Sequence, residues 1–356
     1  MGIVDADLLG RKSQRFPNLA CMKLSGYYKD NGDQVELVEN YDEIVNFDKV
    51  FISKVFSDTP IPEDILKLKK VSYGGTGFFY EKSPDLPHEI EHHMPDYSLY
   101  NKWVERKINE GISRKKFDFY LNYSIGFTTR GCFRKCEFCV NKKYNKVQIH
   151  SPIEEFLDQD RKYICLLDDN ILGYGGWKKI LKNLQETKKY FQYKQGMDIR
   201  LMTEDKVKTL SECKYKGDYI FAFDYLKDRE IIEEKLLMWK KVIKKTTKLY
   251  VLTAYESQDA VDIENAFKRV EILMKYKSIP YIMRYEDYKE SEWRGVYITL
   301  ARWCNQPSMF TKKSFREFCL MRSDSKRYMD EFEEKYPEIA KKYFDLKFEN
   351  ECIDGL

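Results

Sequence analysis

The segment Thr129-Arg130-Gly131-Cys132-Phe133-Arg134-Lys135-Cys136-Glu137-Phe138-Cys139 gathers three thiols into eight residues, spaced Cys-x3-Cys-x2-Cys. Such spacing lets one short loop wrap a compact inorganic centre. A [4Fe-4S] cube has four irons, each wanting a thiolate-like ligand. Three neighbouring cysteines satisfy three of them and leave the fourth iron open to a small molecule that binds through nitrogen and oxygen. Structural zinc is the competing reading, but it takes four ligands, usually in two short pairs. No second Cys-x2-Cys follows. A remote fourth ligand such as Cys165 keeps that alternative open.

The array resembles the signature of the radical S-adenosylmethionine (radical SAM) superfamily, and the aromatic Phe138 directly before the third cysteine fits it too. The resemblance implies that Cys132, Cys136 and Cys139 hold a [4Fe-4S] cluster and that SAM chelates the open iron through its amino and carboxylate groups. One electron from the reduced cluster then cleaves the sulfonium to a 5′-deoxyadenosyl radical, which takes hydrogen from a substrate. It also implies that the backbone near Phe138 faces the adenine, and that an electron donor such as a flavodoxin or ferredoxin serves the site.

The elements that must position this loop are legible as apolar runs separated by helical stretches. Residues 120–127, 163–167, 197–202, 218–223, 248–253 and 280–283 read as six strands. Ser151-Pro152-Ile153-Glu154 reads as a capping box that opens a helix. Between the fourth and fifth strands Ile231, Ile232, Leu236, Trp239, Val242 and Ile243 recur at helical spacing, with Asp228 as a candidate cap. Strands alternating with helices imply a parallel sheet. Six units fall short of the eight that close a full barrel, and match the partial (β/α)6 barrel of the TIM type that is usual in the family.

In such sheets ligands bind at the carboxyl ends of the strands. Asp168-Asp169-Asn170 ends the second strand, where many family members carry a Gly-Gly-Glu-like stretch for the SAM amino group. The triplet resembles the variant of relatives with a cobalamin-domain-like front end, and is assigned that contact. Asp198 and Arg200 lie on the third strand and Asp224 ends the fourth. Arg284 and Tyr285 end the sixth. For Asp198 and Arg200 two readings stand, contact with SAM or an ion pair that braces the barrel. For Asp224 contact with substrate is a third.

Residues 1–95 read as a small doubly wound α/β unit. Its strands are expected over 2–5, 34–38, 50–56 and 71–73, and its helices over 17–29 and 63–70. This resembles the B12-binding-like, Rossmann-type domain that precedes the radical SAM core in one large subgroup. Residues 96–300 would be the barrel and 301–356 a C-terminal helical extension, either a plug over the barrel or a pack along its edge. Cobalamin is possible but not favoured. The histidine of the Asp-x-His-x-x-Gly fingerprint is replaced by Asp7 in Asp5-Ala6-Asp7-Leu8-Leu9-Gly10, and a carboxylate suits cobalt less well than imidazole. Gly74-Gly75-Thr76-Gly77 reads as a tight turn or as a backbone approach to a ligand.

Composition bounds the rest. At 356 residues, 43% hydrophobic and 34% charged, the chain supports about two domains. The 62 basic and 58 acidic residues nearly balance, so overall charge names no polyanionic partner. Lys240, Lys241, Lys244, Lys245 and Lys248 form a basic cluster, read as a solvated helix face or a nucleic-acid footprint. His92 and His93 read as solvated linker residues, and Cys304 beside Trp303 as a buried thiol or a substrate neighbour. No run approaches the ~18 apolar residues of a membrane span, and no secretion signal is evident, so a cytoplasmic enzyme without membrane contact is expected. Its second substrate is unidentified, with a nucleotide or nucleic-acid base the weak favourite over a peptide or small metabolite. The alternatives are a cobalamin-dependent radical SAM methyltransferase and a non-catalytic iron–sulfur or zinc-binding protein.

Overall fold

The computed structural model describes residues 1–12 and 16–348, so Cys352 lies outside the described residues. The chain divides into two compact units, Met1–Asp168 with Lys182–Gln192, and Asp169–Leu181 with Tyr193–Leu356.

In the first unit β1 (Gly2–Asp5), β2 (Glu36–Leu37), β3 (Val50–Ser53) and β4 (Val71–Gly74) form a parallel sheet in the order β2-β1-β3-β4. Helices Leu19–Asp30 and Glu63–Leu66 lie in its crossovers, which parallel pairing requires. Asn18 opens the first of these by accepting from Cys21 N–H, and its amide donates to Ser53 Oγ at 2.9 Å, which ties the helix start to β3. Ile3, Leu24, Val104, Tyr120, Ile125 and Cys165 belong to one apolar cluster, so residues on either side of position 95 share a core.

The same unit carries β5 (Tyr123–Gly126), which runs on to a short ribbon, β6 (Thr129–Arg130) against β7 (Gln148–Ile149). β5 then pairs in parallel with β8 (Tyr163–Leu166), in a sheet ordered β5-β8-β9, with β9 at Tyr190–Tyr193. Two side chains lock the start of this sheet. The Tyr97 hydroxyl accepts from Ile125 N–H at 2.8 Å and donates to Phe156 O at 2.6 Å. The Arg161 guanidinium donates to the carbonyls of Tyr120, Tyr123 and Tyr97.

In the second unit β10 (Tyr219–Ala222), β11 (Thr247–Thr253) and β12 (Ile279–Arg284) form a parallel sheet. Helices Arg229–Val242 and Ala260–Lys275 supply the crossovers that parallel pairing requires. Ile232, Leu236 and Trp239 bury one stripe of the first helix, and Trp239 Nε1 donates to Thr247 Oγ1 at 2.9 Å.

Two local expectations are corrected. The third strand is residues 190–193 and not 197–202. Asp198 accepts from Arg200 N–H and caps a 3-10 turn, Ile199–Leu201, which ends any strand there, and Met197 alone bridges Phe221. The segment after Ser151 is a single 3-10 turn, Ile153–Glu155. The Ser151 hydroxyl lies 3.0 Å from His150 Nδ1 and 3.4 Å from His92 Nδ1, and caps no helix. Residues 306–307 open a short helix, Pro307–Phe310, with Pro at its start.

The tail folds as helices Phe315–Cys319, Ser323–Lys335 and Pro337–Tyr343. Ser314 and Glu317 make a reciprocal capping box at the first. Phe315, Tyr343 and Phe344 pack on Phe267 of helix Ala260–Lys275, with ring centroids 5.2, 5.9 and 5.4 Å away. Among the described residues no helix is long and apolar enough to cross a membrane.

Candidate functional site

The cysteine loop of the first unit is closed at its base by the β6–β7 ladder, Thr129 opposite Ile149 and Arg130 opposite Gln148. Gly131 turns the chain out of β6 at φ +94°, where a side chain would meet Lys146 O at 2.4 Å. Only glycine fits this turn comfortably. Cys132, Cys136 and Cys139 are all partly exposed. Main-chain N–H groups point at two of the sulfurs, Arg134 N at 3.3 Å from Cys132 Sγ and Asn141 N at 3.4 Å from Cys139 Sγ. Such donors stabilise thiolates and raise cluster potentials.

The rest of the loop is held by its own lysines. Lys142 Nζ donates to the carbonyls of Cys136 and Glu137 at 2.6 and 2.7 Å, and Lys135 Nζ to Tyr144 O at 2.7 Å. Residues 130–146 carry six basic side chains and one acidic one. The Phe138 carbonyl accepts from the Tyr80 hydroxyl at 3.3 Å, which joins the loop to the segment after β4.

Asp168 is fully enclosed at the end of β8. Its carboxylate accepts the N–H and hydroxyl of both Thr128 and Thr129. Burial pushes the carboxyl up, against four hydrogen bonds that pull it down. Asp168 therefore anchors the strand that delivers Gly131 and Cys132. Asp169 is half-buried and Asn170 is buried at the start of the 3-10 turn Ile171–Gly173.

Beside the loop's base lies a polar cluster around His92, which the sequence reading treats as solvated. His92 stacks between His88 and His150, at 4.4 and 5.1 Å between ring centroids. His92 Nδ1 is 2.7 Å from Glu155, and His150 Nε2 is 3.4 Å from Glu91. Burial pushes the Glu91 carboxyl up, but His150, Lys23 and Arg130 bring it down to about 2. The His-x3-His spacing of His88 and His92 was the available signal. Among the described residues no three His, Cys, Asp or Glu side chains are grouped as ligands of a single metal ion.

The second unit assembles Asp198, Arg200 and Asp224 with residues that periodicity did not single out. Arg200 donates to Asp198 from Nε at 2.7 Å and to Asp228 from Nη1 at 2.6 Å. Asp228 sits at the start of helix Arg229–Val242 without capping it through its side chain. Arg269 is fully buried and donates to the carbonyls of Phe223, Asp224 and Leu252, at the carboxyl ends of β10 and β11. Asp262 accepts from Ala254 N–H at 2.7 Å and from the Tyr297 hydroxyl at 2.9 Å. Ala254 adopts φ +60° just past β11. The signal for Arg269 was a lone cation on an apolar helix face, between Ala266 and Leu273.

The Asp224 carboxylate accepts no hydrogen bond among the described residues, while its main-chain carbonyl accepts from Arg269. Burial raises its carboxyl to about 6, with Arg269 and Arg200 opposing the rise and Asp198 and Asp228 adding to it. Arg284 lies over the Tyr288 ring, 4.3 Å from its centroid, and Tyr285 meets Tyr255 edge-on at 4.9 Å.

Among solved structures the fold is similar to the radical S-adenosylmethionine methyltransferase TsrM from Kitasatospora setae, with cobalamin and a [4Fe-4S] cluster bound. The TM-score is 0.53 at 11% identity, over 80% of this chain and 71% of that one. The chain shares the fold of a radical SAM enzyme. No family model matches, and no curated protein matches.

Four further expectations are decided locally. Gly75 has φ +103° and lies against Lys54 O, and Gly77 N–H donates to the same carbonyl at 2.9 Å. The glycine run is a tight turn. Cys304 is fully buried and burial pushes its thiol well up, and Cys165 is buried within β8. Asp7 is also buried, and its carboxylate accepts from Val55 N–H at 2.7 Å, from Phe56 N–H and from the Thr59 hydroxyl. Of the basic cluster, Lys240 is buried, Lys245 donates to Tyr215 O, and Lys248 pairs with Asp218 at 2.6 Å. These cations are largely spent on their own chain.

Proposed function

We propose that the protein is a radical SAM enzyme whose Cys132, Cys136 and Cys139 ligate a [4Fe-4S] cluster, with SAM bound at the fourth iron. The observation that carries this is the three-thiol loop, partly exposed, with main-chain N–H groups on two sulfurs and a basic surround. The donor set fits a cubane with one open corner. When loaded, the cluster would supply one electron to cleave SAM reductively to methionine and a 5′-deoxyadenosyl radical that abstracts hydrogen from the substrate. The chain's own residues have other tasks. Asp168 and Gly131 set the loop's path, Lys142 and Lys135 hold its turn, and the Phe138 backbone is proposed to face the adenine. Asp169, Asn170, Asp198, Arg200 and Asp224 are the proposed polar contacts for SAM, with Asp224 also open to substrate.

A nucleotide or nucleic-acid base is the substrate class we favour. Support comes from the exposed rings of Tyr73 and Phe79, parallel within 3° at 5.8 Å, since stacked aromatics accept bases of any sequence. The basic loop suits an acidic electron donor of the flavodoxin or ferredoxin type.

Likeness to a cobalamin-loaded methyltransferase favours one second reading, methyl transfer through cobalamin. The residues do not fit a lower axial ligand at the fingerprint position, because Asp7 is taken up by Val55, Phe56 and Thr59. Retention of cobalamin after anaerobic purification, with methylated product, would replace the hydrogen-abstraction reading.

The test is anaerobic reconstitution followed by SAM and dithionite. About four irons per chain and release of 5′-deoxyadenosine are expected. Zinc in place of iron, or a full cluster that never cleaves SAM, would end the proposal. Cys136→Ala should lose the visible thiolate-to-iron absorbance.

A further inference from the structure

Arg130 stands two residues before Cys132, with its backbone fixed opposite Gln148 in the β6–β7 ladder. Its guanidinium lies on the Phe127 ring, 4.1 Å from the centroid, and 5.8 Å from the centroid of Tyr144. Those rings flank the group on the loop side. They leave its donors unused: Arg130 donates no side-chain hydrogen bond among the described residues, and its Nε is buried with no partner. The nearby carboxylate, Glu91, feels the Arg130 charge but makes its close contacts with Lys23 Nζ at 2.9 Å and His150 Nε2 at 3.4 Å.

A guanidinium presents five N–H donors in a rigid fork, and buried polar groups are nearly always hydrogen-bonded. A fork with its face packed on aromatic rings and its edge unpaired is set up for a planar oxyanion. The fork pairs with carboxylates and phosphates alike, and at the cysteine loop the oxyanion that the radical SAM reading supplies is the carboxylate of SAM. We propose that Arg130 binds the carboxylate of the amino-acid end of SAM at the cysteine loop. This rests on the radical SAM reading above. It makes Arg130 a binding residue with a defined target, where local sequence gives only a cation beside a cysteine.

The experiment uses the reconstituted protein and two probes, SAM and its decarboxylated analogue, in wild type, Arg130→Gln and Arg130→Lys. Affinity is read by isothermal titration, and the cluster by iron content and by its low-temperature EPR spectrum. Arg130→Gln should keep wild-type iron content and weaken SAM about tenfold to a hundredfold, the range for a charged hydrogen-bonded pair. Binding of the decarboxylated analogue should be unchanged, and Arg130→Lys should recover part of the SAM affinity. Equal SAM affinity in wild type and Arg130→Gln would overturn the assignment, as would equal weakening of both probes. A shifted reduction potential with unchanged SAM affinity would also overturn it, and would make Arg130 a charge that tunes the cluster. If wild type loads iron but binds no SAM, the radical SAM reading fails first, and that outcome is read before any variant.

Discussion

Asp168 accepts both the N–H and the hydroxyl of Thr129, at 2.7 and 2.8 Å, and the same pair of groups from Thr128. A carboxylate at the end of β8 thereby fixes the residues that lead into the cysteine loop. Asp168→Ala would leave four donors without their acceptor in a closed space, a loss on the order of 3 kcal/mol. The expected outcome is a lower urea midpoint together with iron content well below wild type. Full iron loading in a stably folded Asp168→Ala would show that the loop does not depend on this anchor.

Lys142 spans the loop it belongs to, with its ammonium on the carbonyls of Cys136 and Glu137. Lys142→Met keeps the aliphatic stem and removes both charged hydrogen bonds. Iron release to a chelator should become several-fold faster. The global unfolding midpoint should move by no more than about 1 kcal/mol, because the side chain sits on a partly exposed loop. Unchanged release kinetics would remove Lys142 from the account of loop rigidity.

Arg269 closes the carboxyl ends of β10 and β11 from inside, on three carbonyls and beside Asp224 and Asp262. Removing one member of a buried charged set costs about 3–5 kcal/mol, because its partners stay buried without it. Arg269→Met should therefore cost far more than the loss of an exposed arginine such as Arg229, in denaturant unfolding of the two variants side by side. Comparable midpoints would show that water replaces the guanidinium.

Asp5 gives a pH signature. It is fully buried in β1, accepts from Leu8 N–H and from the Tyr100 hydroxyl, and burial raises its carboxyl from 3.8 to about 7. The unfolded chain loses this proton near pH 4 and the folded protein keeps it to about 7. Across that window the unfolded state binds fewer protons, so the contribution of Asp5 to stability falls as pH rises and is level above it. Asp5→Asn removes the titration. Its stability relative to wild type should improve steadily from pH 4 to pH 7, as read by urea unfolding at several pH values. A constant difference would mean that Asp5 ionises normally.

The sequence alone determined which thiols share the loop and most of the sheet. Three sulfurs within eight residues share one loop whatever the rest of the chain does, so Cys132, Cys136 and Cys139 were legible from spacing. β5, β8, β10, β11 and β12 were legible as apolar runs, and so were β1 and β3 of the front sheet, because burial of a parallel strand leaves that mark. The third strand was not. Met197, Ile199 and Met202 are as buried as strand residues, but they line a turn capped by Asp198, and a run of apolar residues does not distinguish the two. Only the tertiary structure decided the partners of the charged groups. Asp168 reaches Thr129 across 39 positions and Arg269 reaches Asp224 across 45. A carboxylate read at a strand end can touch a ligand or brace a backbone, and the choice depends on which donors the fold brings within about 3 Å. Spacing along the chain carries no record of that distance.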